Sequence, residues 1–232
     1  MERRIRTIGS TTLAYWQGHG CLPATAGGSL TVLALHGFTG DGRDFGRLLS
    51  SLPKNIELRA PDLPGHGDQP FSPDASSCPN PSEVARLLQE LVAENDGLDW
   101  AALGYSLGAR LLLQSLLSDF PASSHLRETF SGLILLSGSA GIAGSAARSE
   151  RLAADETLAA KIESGGTAAF IEAWQNVPLI ASQKRNLPAQ AYQELLQRRK
   201  AQSAAGLAAA LRAFSPGRLP PVHDKLNQLT CP

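Results

Sequence analysis

The stretch Trp100–Arg110, WAALGYSLGAR, constrains this chain more than any other. An apolar run ends on Gly104-Tyr105-Ser106-Leu107-Gly108, and a helical pattern, LGARLLLQSLLSDF, begins at once. A buried strand turning abruptly into a helix is the context that a G-x-S-x-G nucleophile elbow requires. The turn forces the serine into a strained conformation, and side chains in place of the flanking glycines would meet neighbouring backbone. The helix N-terminus beside Ser106 favours negative charge there. A small-residue turn that merely lets a helix pack closely on a sheet would use the same glycines.

The rest of the chain agrees with a parallel sheet. Thr31–Leu35 is a continuous apolar, β-rich run that stops at glycines, as a strand covered on both faces does. IELRAPDLPGHG (Ile56–Gly67) repeats the pattern, Trp100–Ser106 is a third strand and Ser131–Gly141 a fourth. Helical stretches lie between them, among them PSEVARLLQELVAEN with Ser82 as its N-cap. Alternating strands and helices give right-handed crossovers. Ahead of these, IRTIGSTTLAYWQGHG reads as two strands with a turn near Gly9-Ser10. After Gly141 the texture changes to Ala, Glu, Arg and Gln. Four helical segments are read there, SERLAADETLAAKIES, TAAFIEAWQNVPLI, PAQAYQELLQRRKAQ and AAGLAAALRAF. The expected division is a core over 1–141, a helical cap over 142–214 and a return to the core over 215–232, where LNQLTCP approaches a further strand.

Lys+Arg and Asp+Glu both number 21, which argues against a nucleic-acid binder relying on a broad basic field and leaves local clusters open. No apolar run nears the roughly 20 residues that span a bilayer, and none follows the basic N-terminus to make a signal peptide. Cys21, Cys78 and Cys231 form neither a disulfide framework nor a metal pattern, which suits a reducing cytoplasm. Cys78, in the SPDASSCPNP loop, reads as an inert thiol.

LHGFTGD, DLPGHG and GYSLGAR, in this order and spacing, resemble the α/β-hydrolase superfamily. Within it the chain is similar to the 2-succinyl-6-hydroxy-2,4-cyclohexadiene-1-carboxylate synthases of menaquinone and phylloquinone biosynthesis, over about Val32 to Phe214. The resemblance implies an α/β-hydrolase fold, a mostly parallel sheet flanked by helices with a helical cap. It makes Ser106 the catalytic serine and the backbone N–H groups of Phe38 and Leu107 the oxyanion donors. It gives His36 a structural role and makes the His66 loop scaffold. Arg110 lies four residues beyond Ser106 on the same helix face, suited to a carboxylate, although a solvated surface arginine would also fit. The resemblance places Arg151, Trp174 and, of Arg198 and Arg199, the latter in substrate binding. Tyr105 lines the pocket or packs at the elbow. The implied partner is a small-molecule polycarboxylate, with no metal or organic cofactor. The implied reaction is elimination of pyruvate from 2-succinyl-5-enolpyruvyl-6-hydroxy-3-cyclohexene-1-carboxylate.

The triad order of this architecture is Ser, then Asp or Glu, then His. Downstream of Ser106 stand only His125, in the wrong loop, and His223, ahead of Asp224 in the wrong order. The triad Asp and His and the C-terminal strands are therefore read as missing, and residues 1–232 as a fragment with little activity alone. Two other readings stay open. One is a serine esterase, thioesterase or C–C hydrolase of the same fold; the other is an inactive remnant that binds an anion.

Overall fold

The computed structural model describes residues 1–8, 11–69, 80–93 and 98–231. The loop holding Cys78, and Gly9-Ser10, lie outside them. Antiparallel strands β1 (Glu2–Ile8) and β2 (Thr11–His19) lead into β3 (Leu30–Leu35) and a 3-10 helix over Gly42–Ser51. Strand β4 (Ile56–Pro61), helix α1 (Pro81–Val92), strand β5 (Asp99–Tyr105), helices α2 (Leu107–Leu117) and α3 (Ser123–Thr129) and strand β6 (Phe130–Leu136) complete the core. The six strands run in the order β1-β2-β4-β3-β5-β6, with β3, β4, β5 and β6 parallel.

Both faces of β3 are covered, which explains its lack of polar alternation. Leu33 and Leu35 pack with Trp100 against α1, α2 and α3; Val32 and Ala34 pack against Phe45 and Leu49 of the 3-10 helix. Strand β6 departs from the sequence reading. It ends at Leu136 instead of Gly141 and is the outermost strand, with Ile134 50% and Leu136 48% exposed. The N-cap of α1 is also corrected. Asn80, not Ser82, accepts the Glu83 N–H, and Pro81 occupies the first turn, where its missing N–H costs nothing.

The cap is built from α4 (Ser145–Trp174), α5 (Pro178–Asn186), α6 (Ala189–Lys200) and α7 (Ala204–Phe214). Gly166, at φ 77°, breaks α4 where the sequence separates two helices at Gly165-Gly166. Helix α5 was not anticipated; none of its residues is buried, so it carries no apolar period to read. Residues 223–228 form a 3-10 turn, and no strand follows it among the described residues. At one point of the seam between cap and core, backbone meets backbone. A Cβ on Gly65 would lie 2.3 Å from the Gly206 carbonyl oxygen, and one on Gly206 would lie 2.6 Å from that of Gly65.

His66 occupies the loop at this seam. It is 1% exposed, its Nδ1 meets the Pro64 carbonyl at 3.2 Å, and its Nε2 has no partner. Burial pushes it down to about 3 from 6.5. Unfolded, the imidazole takes up a proton below about pH 6.5; folded, it stays neutral down to about 3. The unfolded state binds the extra proton across that window, so stability falls as pH falls, by about 1.4 kcal/mol per unit. The His66→Gln variant is expected to lose one proton of this slope between about pH 4 and 6 in urea titrations. Parallel slopes for the two proteins would show that His66 is not the titrating group.

Candidate active site

The elbow stands as the glycines require. Ser106 has φ 52° and ψ −107°, a region that non-glycine residues rarely enter. Its N–H is held by the Leu136 carbonyl at 2.8 Å, which ties the turn to the end of β6. A Cβ at Gly104 would come within 2.5 Å of Ala109 Cα. Ser106 is the N-cap of α2, so the Leu107 N–H at the first helical position has no acceptor within the helix.

The Phe38 N–H comes from the loop after β3. Gly37 presses against the elbow: a Cβ there would lie 2.8 Å from the Tyr105 ring and 3.5 Å from Ser106 Cβ. The Gly37 carbonyl accepts from Gly40 N–H at 3.0 Å and from His36 Nδ1 at 2.8 Å. In a trans peptide the C=O and N–H face opposite ways, so these two bonds fix the direction of the Phe38 N–H. His36 Nε2 in turn accepts the Leu63 N–H at 2.9 Å, so both of its ring nitrogens are engaged in holding loops.

A cavity of about 350 Å³ opens here, and it brings together Phe38, Tyr105, Ser106, Leu107, Arg110, Arg151, Trp174 and Arg199, all of which the sequence singled out. Three arginines and one carboxylate, Asp155, stand in its lining. Arg151 Nε donates to Asp155 at 2.8 Å. Arg199 is 6% exposed and donates to Gln183 Oε1 at 2.9 Å. Burial lowers the affinity of both Arg110 and Arg199 for their protons, Arg110 down to about 10 with the Arg151 charge as a second cause. Arg110 Nε, Arg199 Nε and Trp174 Nε1 are buried donors with no partner. The cavity thus gathers three guanidinium groups around a single carboxylate, a lining that suits an anionic ligand.

Arg198 behaves differently from its neighbour. It donates to Asp44 at 2.6 Å and lies 3.4 Å from Asp41, pinning α6 to the loop after β3. A second cavity of about 440 Å³ lies beside the first and shares Tyr105, Gln183 and Arg199 with it. Asp155, Gln183 and Ser137 were missed by the sequence reading. Only Asp155 left a signal, its spacing of four from Arg151 on one helix.

All five histidines lie among the described residues. His36 and His66 are buried in loop scaffolding, His19 is exposed beside Glu57, and His125 and His223 are exposed. None lines the cavity with Ser106. The cavity therefore brings together the elbow serine, Phe38, Leu107 and three arginines, with no histidine in its lining.

Comparison with known proteins agrees with this architecture. A relative from Bacillus subtilis (strain 168) is 30% identical over 207 residues, 88% of this chain and 71% of its own length. The 2-succinyl-6-hydroxy-2,4-cyclohexadiene-1-carboxylate synthase of Salmonella agona (strain SL483) is 29% identical over 205 residues, 88% of this chain and 75% of that protein. The structure of MenH from S. aureus superimposes with a TM-score of 0.80 at 27% identity, covering 94% of this chain and 77% of its own. A thermophilic esterase from Thermogutta terrifontis shares the fold at 20% identity and a TM-score of 0.72. No helix among the described residues is long and apolar enough to cross a membrane. The α/β-hydrolase family model matches residues 32–230, and with Ser106 on its elbow at the C-terminal end of β5, the chain belongs to the α/β-hydrolase family.

Proposed function

We propose that this chain carries the substrate site of a carbon–oxygen lyase that eliminates pyruvate from 2-succinyl-5-enolpyruvyl-6-hydroxy-3-cyclohexene-1-carboxylate in menaquinone or phylloquinone biosynthesis. The observation that carries the reading is the cavity itself: an elbow serine facing three arginines and a single carboxylate. A pocket for a neutral ester would have no use for that charge, whereas a substrate with several carboxylates needs it. The resemblance to the named synthases points the same way.

In this reading Ser106 gives its proton to an imidazole and takes one from the substrate ring. The electrons of that C–H bond move through the conjugated system toward the succinyl carbonyl, whose oxygen gains charge beside the Phe38 and Leu107 N–H groups. Their return breaks the C–O bond to the enolpyruvyl group, which departs as pyruvate enolate and takes up a proton. Arg110, Arg151 and Arg199 hold carboxylates, while Tyr105 and Trp174 pack on the ring. No histidine of residues 1–232 is placed to serve Ser106, so the reading requires an imidazole and its carboxylate partner from outside these residues. A cytoplasmic setting suits cysteines that form neither a disulfide framework nor a metal pattern.

Calorimetric titration with the substrate tests the binding half of this proposal without turnover. The Arg110→Gln variant is expected to bind about thirtyfold more weakly, as loss of a charge-assisted bond of ~2 kcal/mol implies. Equal affinity in the two proteins, together with covalent labelling by a fluorophosphonate and turnover of neutral esters, would replace the lyase with a serine esterase.

A further inference from the structure

Gln202 lies between α6 and α7, 8% exposed, on the cap side of the seam. Its side-chain nitrogen donates to the Thr39 carbonyl at 2.7 Å and to the Gly40 carbonyl at 3.0 Å. Its side-chain oxygen accepts the Gly67 N–H at 3.3 Å. Two carbonyls on one side and an N–H on the other leave only one orientation of the amide that satisfies all three. The residue is itself braced, because Thr167 Oγ1 donates to its carbonyl at 2.8 Å and its own N–H reaches the Arg199 carbonyl at 3.3 Å.

We infer that Gln202 is a positioning residue through which the cap aims the Phe38 N–H at the developing negative charge. The inference rests on the oxyanion role given to Phe38 above. The path consists of two linked peptide planes. At one end of the Thr39–Gly40 plane the carbonyl is held by Gln202; at the other the Gly40 N–H donates to the Gly37 carbonyl. That carbonyl belongs to the plane that bears the Phe38 N–H. Thr39 has φ 66°, a left-handed conformation that a non-glycine residue keeps only when held. The loop therefore relaxes when the amide is removed, and the relaxation turns the donor away. Arg199 is three residues before Gln202 and lines the cavity, so a carboxylate held by Arg199 steadies the same segment.

Two variants separate this from a general packing role. Gln202→Glu keeps the shape and the acceptor for Gly67 but sets a carboxylate against two carbonyls; Gln202→Leu removes every bond. Deuterium exchange in the free protein is the first readout. Exchange at Gly40 is expected to quicken about tenfold or more in both variants, while Gly67 stays protected in Gln202→Glu and loses protection only in Gln202→Leu. Amides of α2 and α7 serve as the check that both variants are folded. Unchanged exchange at Gly40 in either folded variant would overturn the inference. The second readout is pyruvate release with imidazole supplied, where kcat is expected to fall about tenfold with substrate affinity within about twofold. A loss confined to affinity would also overturn it. The exchange arm needs no substrate. A wild-type protein that releases no pyruvate would count against the lyase reading and leave the exchange result decisive for Gln202.

Discussion

Purified residues 1–232, given the enolpyruvyl substrate, are expected to bind it and yet to release pyruvate about 10²–10⁴ times more slowly than a relative such as MenH from S. aureus. The expectation follows from where the five histidines stand. A serine hydroxyl is a poor base at neutral pH, and proton transfer to a positioned imidazole is what makes it one. His36 spends both ring nitrogens on the Gly37 and Leu63 backbone, His66 is buried and neutral, and the other three are on the surface. In the proposed reading the Phe38 and Leu107 N–H groups and the arginines still bind the substrate and stabilise charge. Free imidazole added to the assay should therefore raise the rate in proportion to its concentration, since the gap it fills is a missing base. Release at the relative's rate without imidazole would mean that one of the five histidines moves into the cavity. Absence of both binding and rescue would mean that the site is not formed.

The second large effect concerns the elbow's own backbone, and its sign reverses within two residues. A Cβ at Gly108 would lie 2.1 Å from the Leu35 carbonyl oxygen, 2.4 Å from the Leu35 carbonyl carbon and 2.7 Å from the His36 carbonyl oxygen. All three atoms are backbone, at the end of β3 and the start of the oxyanion loop, so no rotamer change can make room. Gly108→Ala must lift α2 off the sheet, at a cost of about 3 kcal/mol or more. Ser106→Gly acts in the opposite direction. It releases a strained φ of 52° and should gain about 1 kcal/mol after the extra chain entropy of glycine, with any serine chemistry gone. Urea unfolding midpoints measure both changes. A Gly108→Ala protein with the wild-type midpoint would show that the close approach of α2 to β3 is not what the glycine serves.

Legibility in the sequence divides along a physical line. Local signals were read correctly: the elbow, the apolar runs of β3 and β5, and the break at Gly165-Gly166 are each written in a few adjacent residues. The cavity-lining arginines came from the resemblance, since an arginine on a helix has no local mark that separates a ligand from a surface charge. Helix α5 escaped because nothing on it is buried, and Asn80 escaped because Ser82 satisfies the same N-cap rule two residues later. Gln202 was invisible for a deeper reason. Its partners Thr39 and Gly40 are more than 160 residues away, and only the folded seam brings them together.

That seam also bears on where the cap can yield. Where Gly65 and Gly206 meet, no side chain stands between cap and core, so nothing there can rotate aside. A joint of this kind is stiff, and the cap cannot swing about the start of α7. The cavity is walled partly by α5, whose Leu179, Ile180 and Gln183 line it while Leu179 is 76% exposed. With no residue buried, α5 is the least anchored of the four cap helices and the first of them to give. A stiff seam and a yielding helix thus divide the labour in the proposed reading: the first keeps the Phe38 N–H on aim, and the second admits the ligand.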